Sequence, residues 1–374
     1  MGNVATIVGG GTPNTNIQEY WNGNIQWFTP SEIGKEKYVA NSIRTISDEG
    51  LKKSSAKLLP VGSILLSSRA TVGESSITTI ECTTNQGFQS LIAKENYSNE
   101  FLFYLVQTKR KDLIRKSCGS TFLEISANEV RKVQIAMPTL EEQNKIAKLL
   151  SLLDERIATQ NKIIEDLKKL KCAIIEELLN YRESKMVCLG DIGSFVRGLT
   201  YSSDDVVEKS GTIVMRSNNI VNGSPLDYKN NLVYVNKPIL SEQLLQSGDV
   251  VICMANGSSS LVGKSSYYDG GCLLPITVGA FCGIYRSNEP LAKWLFQTSA
   301  YRRYIWKSLQ GGNGAIANLN SDDILRMSFA IPTEATKERF VTLLTSIDSA
   351  LKNNIELYDL YYSQKQYLLR QMFI

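Results

Sequence analysis

Ile125-Ser126-Ala127-Asn128-Glu129-Val130, then Met137-Pro138-Thr139 and a helical run to Leu179, is the stretch that decides the reading of this chain. It returns as Leu319-Asn320-Ser321-Asp322-Asp323-Ile324, then Ile331-Pro332-Thr333 and a second helical run to Phe373. Every landmark recurs 194 residues later. A repeat this long is too large for a solenoid unit. It marks two copies of a domain-plus-helix module and predicts approximate internal two-fold symmetry. Upstream the repeat loosens. Gly2-Asn3-Val4 answers Gly190-Asp191-Ile192, Trp27 to Ile33 answers Val214 to Ile220, and Pro60 to Leu66 answers Gln246 to Ile252. The offset drifts between 186 and 194 residues, so the scaffold is shared and the connecting loops are not. That pattern suits one fold carrying two different binding surfaces.

The helical runs carry the firmest periodicity. In the first, Ile146, Leu150, Leu153, Ile157, Ile164, Leu167, Ile174 and Leu178 recur at steps of three and four, with polar breaks at Gln160 and Lys171. In the second, Phe340, Leu344, Ile347, Leu351, Tyr358, Tyr361, Leu368 and Met372 do the same, with breaks at Asn354 and Lys365. This is a coiled-coil seam. Matching polar breaks fix a register, or else the two lysines snorkel at the seam edge. Residues 141–185 hold nine acidic and nine basic side chains, as on an exposed rod. Pro138 and Pro332 mark the helix starts, with Thr139 and Thr333 as N-caps. A helix from Glu141 to Arg182 spans roughly 60 Å and acts as a spacer. Paired within one chain, the two helices are expected to run antiparallel, with a globular domain at each end.

The globular parts read as mixed α/β. Strands are expected at Ser63–Ser67, Gln89–Ala93, Asp249–Cys253 and Phe281–Tyr285. Helices are expected at Phe101–Arg115 and Leu291–Lys307, each followed by a Gly/Ser/Asn-rich loop and an exit strand. The 374 residues allow two or three domains. No signal peptide is expected, and the sequence holds no apolar run of membrane-spanning length. Seven scattered cysteines without a C-x-x-C pair read as reduced thiols of a cytoplasmic protein, and no metal site or cofactor is expected. The absence of histidine removes Ser-His-Asp and Cys-His catalysis and H-E-x-x-H metal sites. Gly257 to Ser265 nears a phosphate-binding loop, but five residues separate its glycines, and Gly263 is the repeat partner of Gly73. Val8-Gly9-Gly10-Gly11-Thr12-Pro13 lacks the dinucleotide pattern and reads as a loop. The chain is expected to be non-catalytic.

The order of elements resembles the specificity subunit of a Type I restriction–modification system over essentially the whole chain. The residues that carry the likeness are Leu189-Gly190-Asp191-Ile192-Gly193, Gly11-Thr12-Pro13, Trp27 with Ile33, Gly62-Ser63-Ile64-Leu65, Gly248-Asp249-Val250-Val251 and Thr121 to Ser126. The most diagnostic run is Pro138-Thr139-Leu140-Glu141-Glu142-Gln143-Asn144-Lys145-Ile146-Ala147, continuing through Leu150, Leu153, Asp154 and Ile157. The resemblance implies an α+β molecule with target-recognition domains at 1–137 and 185–332, and spacer helices at 138–184 and 333–374. Each domain would read half of an interrupted duplex DNA target. The helices would dock two methyltransferase subunits, with restriction subunits joining through the complex and self-association when the chain is alone. Copy two departs from the motif, with Ala335-Thr336-Lys337 where Glu141-Glu142-Gln143 stand. Copy one begins at Met1-Gly2, without a counterpart of Lys185 to Cys188, and is expected to be slightly short there. A coiled-coil adaptor that ignores DNA, or an enzyme using a serine or cysteine site or the near-miss phosphate loop at 257–265, are the other readings the residues allow.

A duplex reader needs bidentate or hydroxyl side chains for base edges, and Lys or Arg for phosphates. In copy one the expected DNA contacts are Thr29, Ser31, Arg69, Thr71, Asn85, Gln86, Ser120 and Thr121. In copy two they are Arg216, Asn218, Asn219, Asn256, Ser258, Ser259, Lys264 and Asn313. Lys109-Arg110-Lys111 and Arg302-Arg303 suit phosphate contact. Glu142, Lys148, Leu150 and Leu344 are the expected partner contacts on the helices. The net charge of +4 is only mildly basic and would not identify a nucleic-acid binder.

Overall fold

A computed structural model describes residues 1–119, 123–309 and 317–373. It divides into two compact units, residues 1–161 with 356–374, and residues 162–355. The two apolar-seamed runs form the helices Leu140–Leu179 and Glu334–Met372, of 40 and 39 residues. Each unit therefore takes one half of each long helix. The first helix is capped as its sequence demands. Thr139 donates its backbone N–H and its hydroxyl to the Glu142 carboxylate at 3.0 and 2.9 Å, closing a capping box just past Pro138.

In the first unit the expected strands appear within a five-stranded sheet. Its order is Ala5–Gly9, Gln89–Ala93, Ile64–Leu66, Ser75–Thr78, Tyr38–Val39. A second sheet places Trp21–Phe28 between Arg44–Ile46 and Cys82–Thr84, the last pairing in parallel. Strand Ile64–Leu66 is buried along its whole length, as a short apolar run between covered faces must be. The second unit repeats the plan. Gly193–Arg197, Cys282–Ser287, Val250–Cys253 and Ser265–Tyr267 form one sheet in the same order. Thr212–Met215 pairs in parallel with Ile276–Val278 in another.

Two sequence expectations change. Each globular helix is broken. Asn99–Thr108 and Arg110–Arg115 are separated at Lys109, and Ala292–Leu295 and Ser299–Leu309 at Phe296–Thr298. The hydroxyl of Thr298 donates to Leu295 O at 2.7 Å and accepts the Tyr301 N–H at 3.0 Å, so it ends one turn and starts the next. The exit strand is found in copy two alone. Ser328–Pro332 pairs with Ser184–Cys188, while its equivalent before Pro138 forms no strand among the described residues. A strand is defined by a partner, and only copy two supplies one. Burial follows. Ile331 and Pro332 are buried, whereas Met137 and Pro138 are partly exposed.

The two lysine breaks in the seam form ion pairs. In the first unit the Lys365 ammonium lies 2.5 Å from Asp154, and the Tyr104 hydroxyl donates to the same carboxylate at 2.7 Å. Burial pushes the Tyr104 hydroxyl well up, and Asp154 adds to it. In the second unit Lys171 lies 2.7 Å from Asp348 and donates to Gly223 O at 3.0 Å. There the Trp294 indole donates to Asp348 at 3.1 Å. Lys171 is 6% exposed, so it does not snorkel. Phe101 stacks on Phe373 in the first unit, and Tyr181 meets Phe340 edge-on in the second. Rising numbers on one helix meet falling numbers on the other, so the helix halves run antiparallel within each unit. In both, one acid, one lysine and one domain aromatic tie the pair of helices to the globular part.

Candidate nucleic-acid interface

In the first unit the expected DNA contacts gather at one end of the sheets. Parallel pairing of Trp21–Phe28 with Cys82–Thr84 carries Thr29–Ser31 and Asn85–Gln86 out side by side, and Asn85 N–H donates to Phe28 O at 3.0 Å. Ser68 N–H donates to Gly87 O at 2.8 Å, which brings Arg69 and Thr71 to the same rim. Ala70 between them holds a left-handed φ of 57° at the loop tip. The glycine-rich segment lies beneath this rim, since a Cβ on Gly10 would sit 2.0 Å from Asn85 O. Thr12 donates to the Gln86 side chain at 2.5 Å.

Several of these side chains already have work. Thr29 caps the turn Pro30–Glu32, with its hydroxyl 2.6 Å from Glu32. Asn85 accepts the Gly87 N–H at 2.8 Å, and Thr71 donates to Ser67 at 3.2 Å. Arg69 pairs with Glu124 at 2.7 Å, both nearly half exposed. Such a surface pair contributes little and can be exchanged for a phosphate. Ser31 and Gln86 are exposed. Ser120 and Thr121 lie outside the described residues.

The second unit gathers its set in the corresponding loops. The Asn256 amide donates to the Ser217 hydroxyl at 3.3 Å, joining the loop after Thr212–Met215 to the one after Val250–Cys253. Arg216, Asn218, Ser258 and Ser259 are exposed, and Lys264 is partly so. Asn219 is different. It is 1% exposed, and its amide accepts Arg216 N–H and donates to the carbonyls of Asp227 and Asn230. Its hydrogen bonds hold the loop shut, so it supports Arg216 and Asn218 and has no group left for a base. Asn313 lies outside the described residues. The glycine-lysine-serine run leads into the strand Ser265–Tyr267, whereas a phosphate loop must open a helix. Gly263 and Gly73 share left-handed φ values of 79° and 88°, as repeat partners should. No cluster of three or more metal-ligating residues occurs among the described residues, and none of the described helices is long and apolar enough to cross a membrane.

The comparison with known proteins fits this twofold plan. The family model for the Type I restriction modification DNA specificity domain matches twice, over residues 1–169 and 181–357. The chain belongs to that family. It is 39% identical to the Type I restriction enzyme MjaIX specificity subunit of Methanocaldococcus jannaschii over 171 residues, 45% of this chain and 40% of that one. It is 29% identical to the EcoR124I/EcoR124II specificity subunit of Escherichia coli over 161 residues, 41% of this chain and 40% of that one. Each match thus spans less than half of the relative. The crystal structure of the S subunit from M. genitalium has the same fold, with a TM-score of 0.65 at 15% identity, covering 100% of this chain and 94% of that one.

The long helices of this specificity-family chain correct two expectations. Leu150 and Leu344 are 0% exposed at their seam positions, and Leu150 packs into the first unit's core. They cannot meet a partner without opening their units. Glu142 and Lys148 are exposed, though the Glu142 carboxylate is held below its usual range by the Thr139 hydrogen bonds of the cap. The sequence reading missed the apolar residues left outside the seam. In the first unit these include Leu149, Leu152, Leu360 and Tyr367, from 40% to 66% exposed. In the second, Ile163, Leu170 and Leu343 are 41% to 50% exposed. The signal was present as apolar residues one position off the seam. Gln143 was also missed. It is 1% exposed, accepts Ser98 N–H at 2.9 Å and donates to Pro138 O at 2.9 Å, pinning the helix start to the domain. Its repeat partner Lys337 does the same work by an ion pair, 3.2 Å from Glu289.

Proposed function

We propose that this chain is the non-catalytic DNA-specificity subunit of a Type I restriction–modification complex. Residues 1–137 and 185–332 each read one half of an interrupted duplex target. Residues 138–184 and 333–374 serve as spacer and as the docking site for two methyltransferase subunits, with restriction subunits joining through that complex in the cytoplasm. The observation that carries this reading is the twice-matched specificity domain, each copy of which brings a different set of polar loop side chains to the same end of the same sheets. Shared sheets with divergent loops are what two readers of different half-sites require. The base contacts are drawn from Ser31, Arg69, Thr71, Asn85 and Gln86 in one domain. In the other they come from Arg216, Asn218, Asn256, Ser258, Ser259 and Lys264. The exposed apolar residues of the long helices support the docking role.

Methylome sequencing of a host expressing the chain with its methyltransferase tests this directly. An asymmetric motif with two defined halves and an unread gap is expected. Exchanging residues 186–332 for the matching domain of another specificity subunit should change one half and leave the other. A swap that altered both halves, or the absence of any motif, would overturn the reading.

A further inference from the structure

The helix Ser299–Leu309 has one face that the fold uses and one that it does not. Tyr301 and Ile305 are buried. The Tyr301 hydroxyl donates to Gly263 O at 2.7 Å, and Ile305 presses on Gly263 so closely that a Cβ there would lie 2.6 Å from it. This fastens the helix to the residue before Lys264. The strand Ala317–Asn318, after the helix, pairs with Ala255–Asn256. The helix is therefore continuous with the loop that carries Asn256, Ser258, Ser259 and Lys264.

On its other face stand Arg302, Arg303, Trp306 and Lys307, all exposed. Arg302 and Trp306, like Arg303 and Lys307, are four residues apart and so lie on one side of a helix. None of the three cations has a carboxylate partner among the described residues. Arg303 donates to the Ser299 hydroxyl at 3.2 Å. In Arg110–Arg115 of copy one, by contrast, Arg110 pairs with Glu74 and Arg115 with Asp112, leaving Lys111 as the one cation of that helix without a carboxylate partner among the described residues. Trp306 is 62% exposed, while Trp21, Trp27 and Trp294 are at most 9% exposed. An indole in water among three uncompensated cations suits a polyanion with apolar surface between its charges, which describes the deoxyribose-phosphate backbone of a duplex.

We propose that Arg302, Arg303, Trp306 and Lys307 form a DNA-backbone contact flanking the half-site read by the second domain. The cations take phosphates and the indole packs on deoxyribose. This rests on the DNA-reading function proposed above and adds residues that fix the duplex rather than read its bases.

The test uses the full chain labelled with 5-fluorotryptophan, alone and assembled with unlabelled methyltransferase subunits. Its four tryptophans give four fluorine resonances, and Trp306→Phe assigns one. On titration with a short random-sequence duplex at low salt, the Trp306 line should shift and lose its solvent accessibility while the other three hold. Trp306→Ala should weaken duplex binding about tenfold. Replacing Arg302, Arg303 and Lys307 by alanine should reduce the slope of log K against log salt by about 3. Circular dichroism should show that these surface variants fold. Duplex binding with an unmoved Trp306 line and an unchanged salt slope would overturn the contact and leave the function standing. A Trp306 line that moves on adding methyltransferase and not DNA would make this a protein interface and also overturn it. No duplex binding by the assembled complex would overturn the function itself, and the contact with it.

Discussion

At the scale of single residues, the decisive feature is a carboxylate with three partners. Asp348 receives Lys171 at 2.7 Å, the Trp294 indole at 3.1 Å and Lys293 at 3.5 Å, with only 11% of its side chain exposed. Burial lowers the Lys293 ammonium against the pull of that acid. Removing one partner of a buried pair leaves the others without compensation. Asp348→Ala should therefore destabilise the second unit by about 3–5 kcal/mol, read as a shift in its urea midpoint. Replacing Asp348 and Lys171 together by leucine leaves Lys293 as the one uncompensated cation and should cost less than the single change. A double variant as unstable as Asp348→Ala would show that packing, and not charge, holds the site. The polar breaks at Lys171 and Lys365 were visible in the sequence. Their partners were not, because Asp154 and Asp348 sit among many acids on balanced helices, and only the antiparallel register selects them.

At the scale of elements, the long helices were legible to within a few residues, since a three-four apolar spacing over several heptads has no other solution. The shorter globular helices were not, because their breaks at Lys109 and Thr298 are local turns set by packing, with no proline or glycine to announce them. The pairs Asp154–Lys365 and Asp348–Lys171 fix the register of the two helix halves within each unit, and the proposed spacer role is tested by changing their length. Inserting one heptad between Gln160 and Lys171, with its match between Asn354 and Lys365, preserves the seam and lengthens each helix by about 10 Å. The gap between half-sites in the methylome should lengthen while the half-sites stay the same. An unchanged gap would remove the helices from that role.

For the whole molecule, the docking question moves away from the seam. Leu150 and Leu344 are fully buried in the seam, and Glu142 is committed to its cap. Leu152 and Leu360 expose 50% and 66% of their surface on the long helices and hold up no core. Leu152→Asp with Leu360→Asp should weaken the proposed two-to-one methyltransferase complex at least tenfold, about 1.4 kcal/mol, without changing the thermal midpoint of the chain. Native mass spectrometry of the complex reads the first and calorimetry the second. Full assembly with both aspartates in place would exclude this face. Charge reversal at Lys148, which has no cap to maintain, is the gentler companion.

The sequence by itself determined the repeat, the two long helices, four of the sheet strands and the absence of histidine chemistry. These follow from periodicity and from residue types, which act locally and need no neighbour to be read. Tertiary structure alone decided which polar residues are available. Asn219 and Ser31 look equally suited to touch a base in a sequence, yet the first is buried on three hydrogen bonds and the second faces water. It also decided that Ser328–Pro332 is a strand and its counterpart is not, that Gly263 seats a helix, and that Trp306 is left outside. Each depends on groups far apart in the chain meeting at one point, where burial and hydrogen bonding select among side chains that the sequence presents as equals.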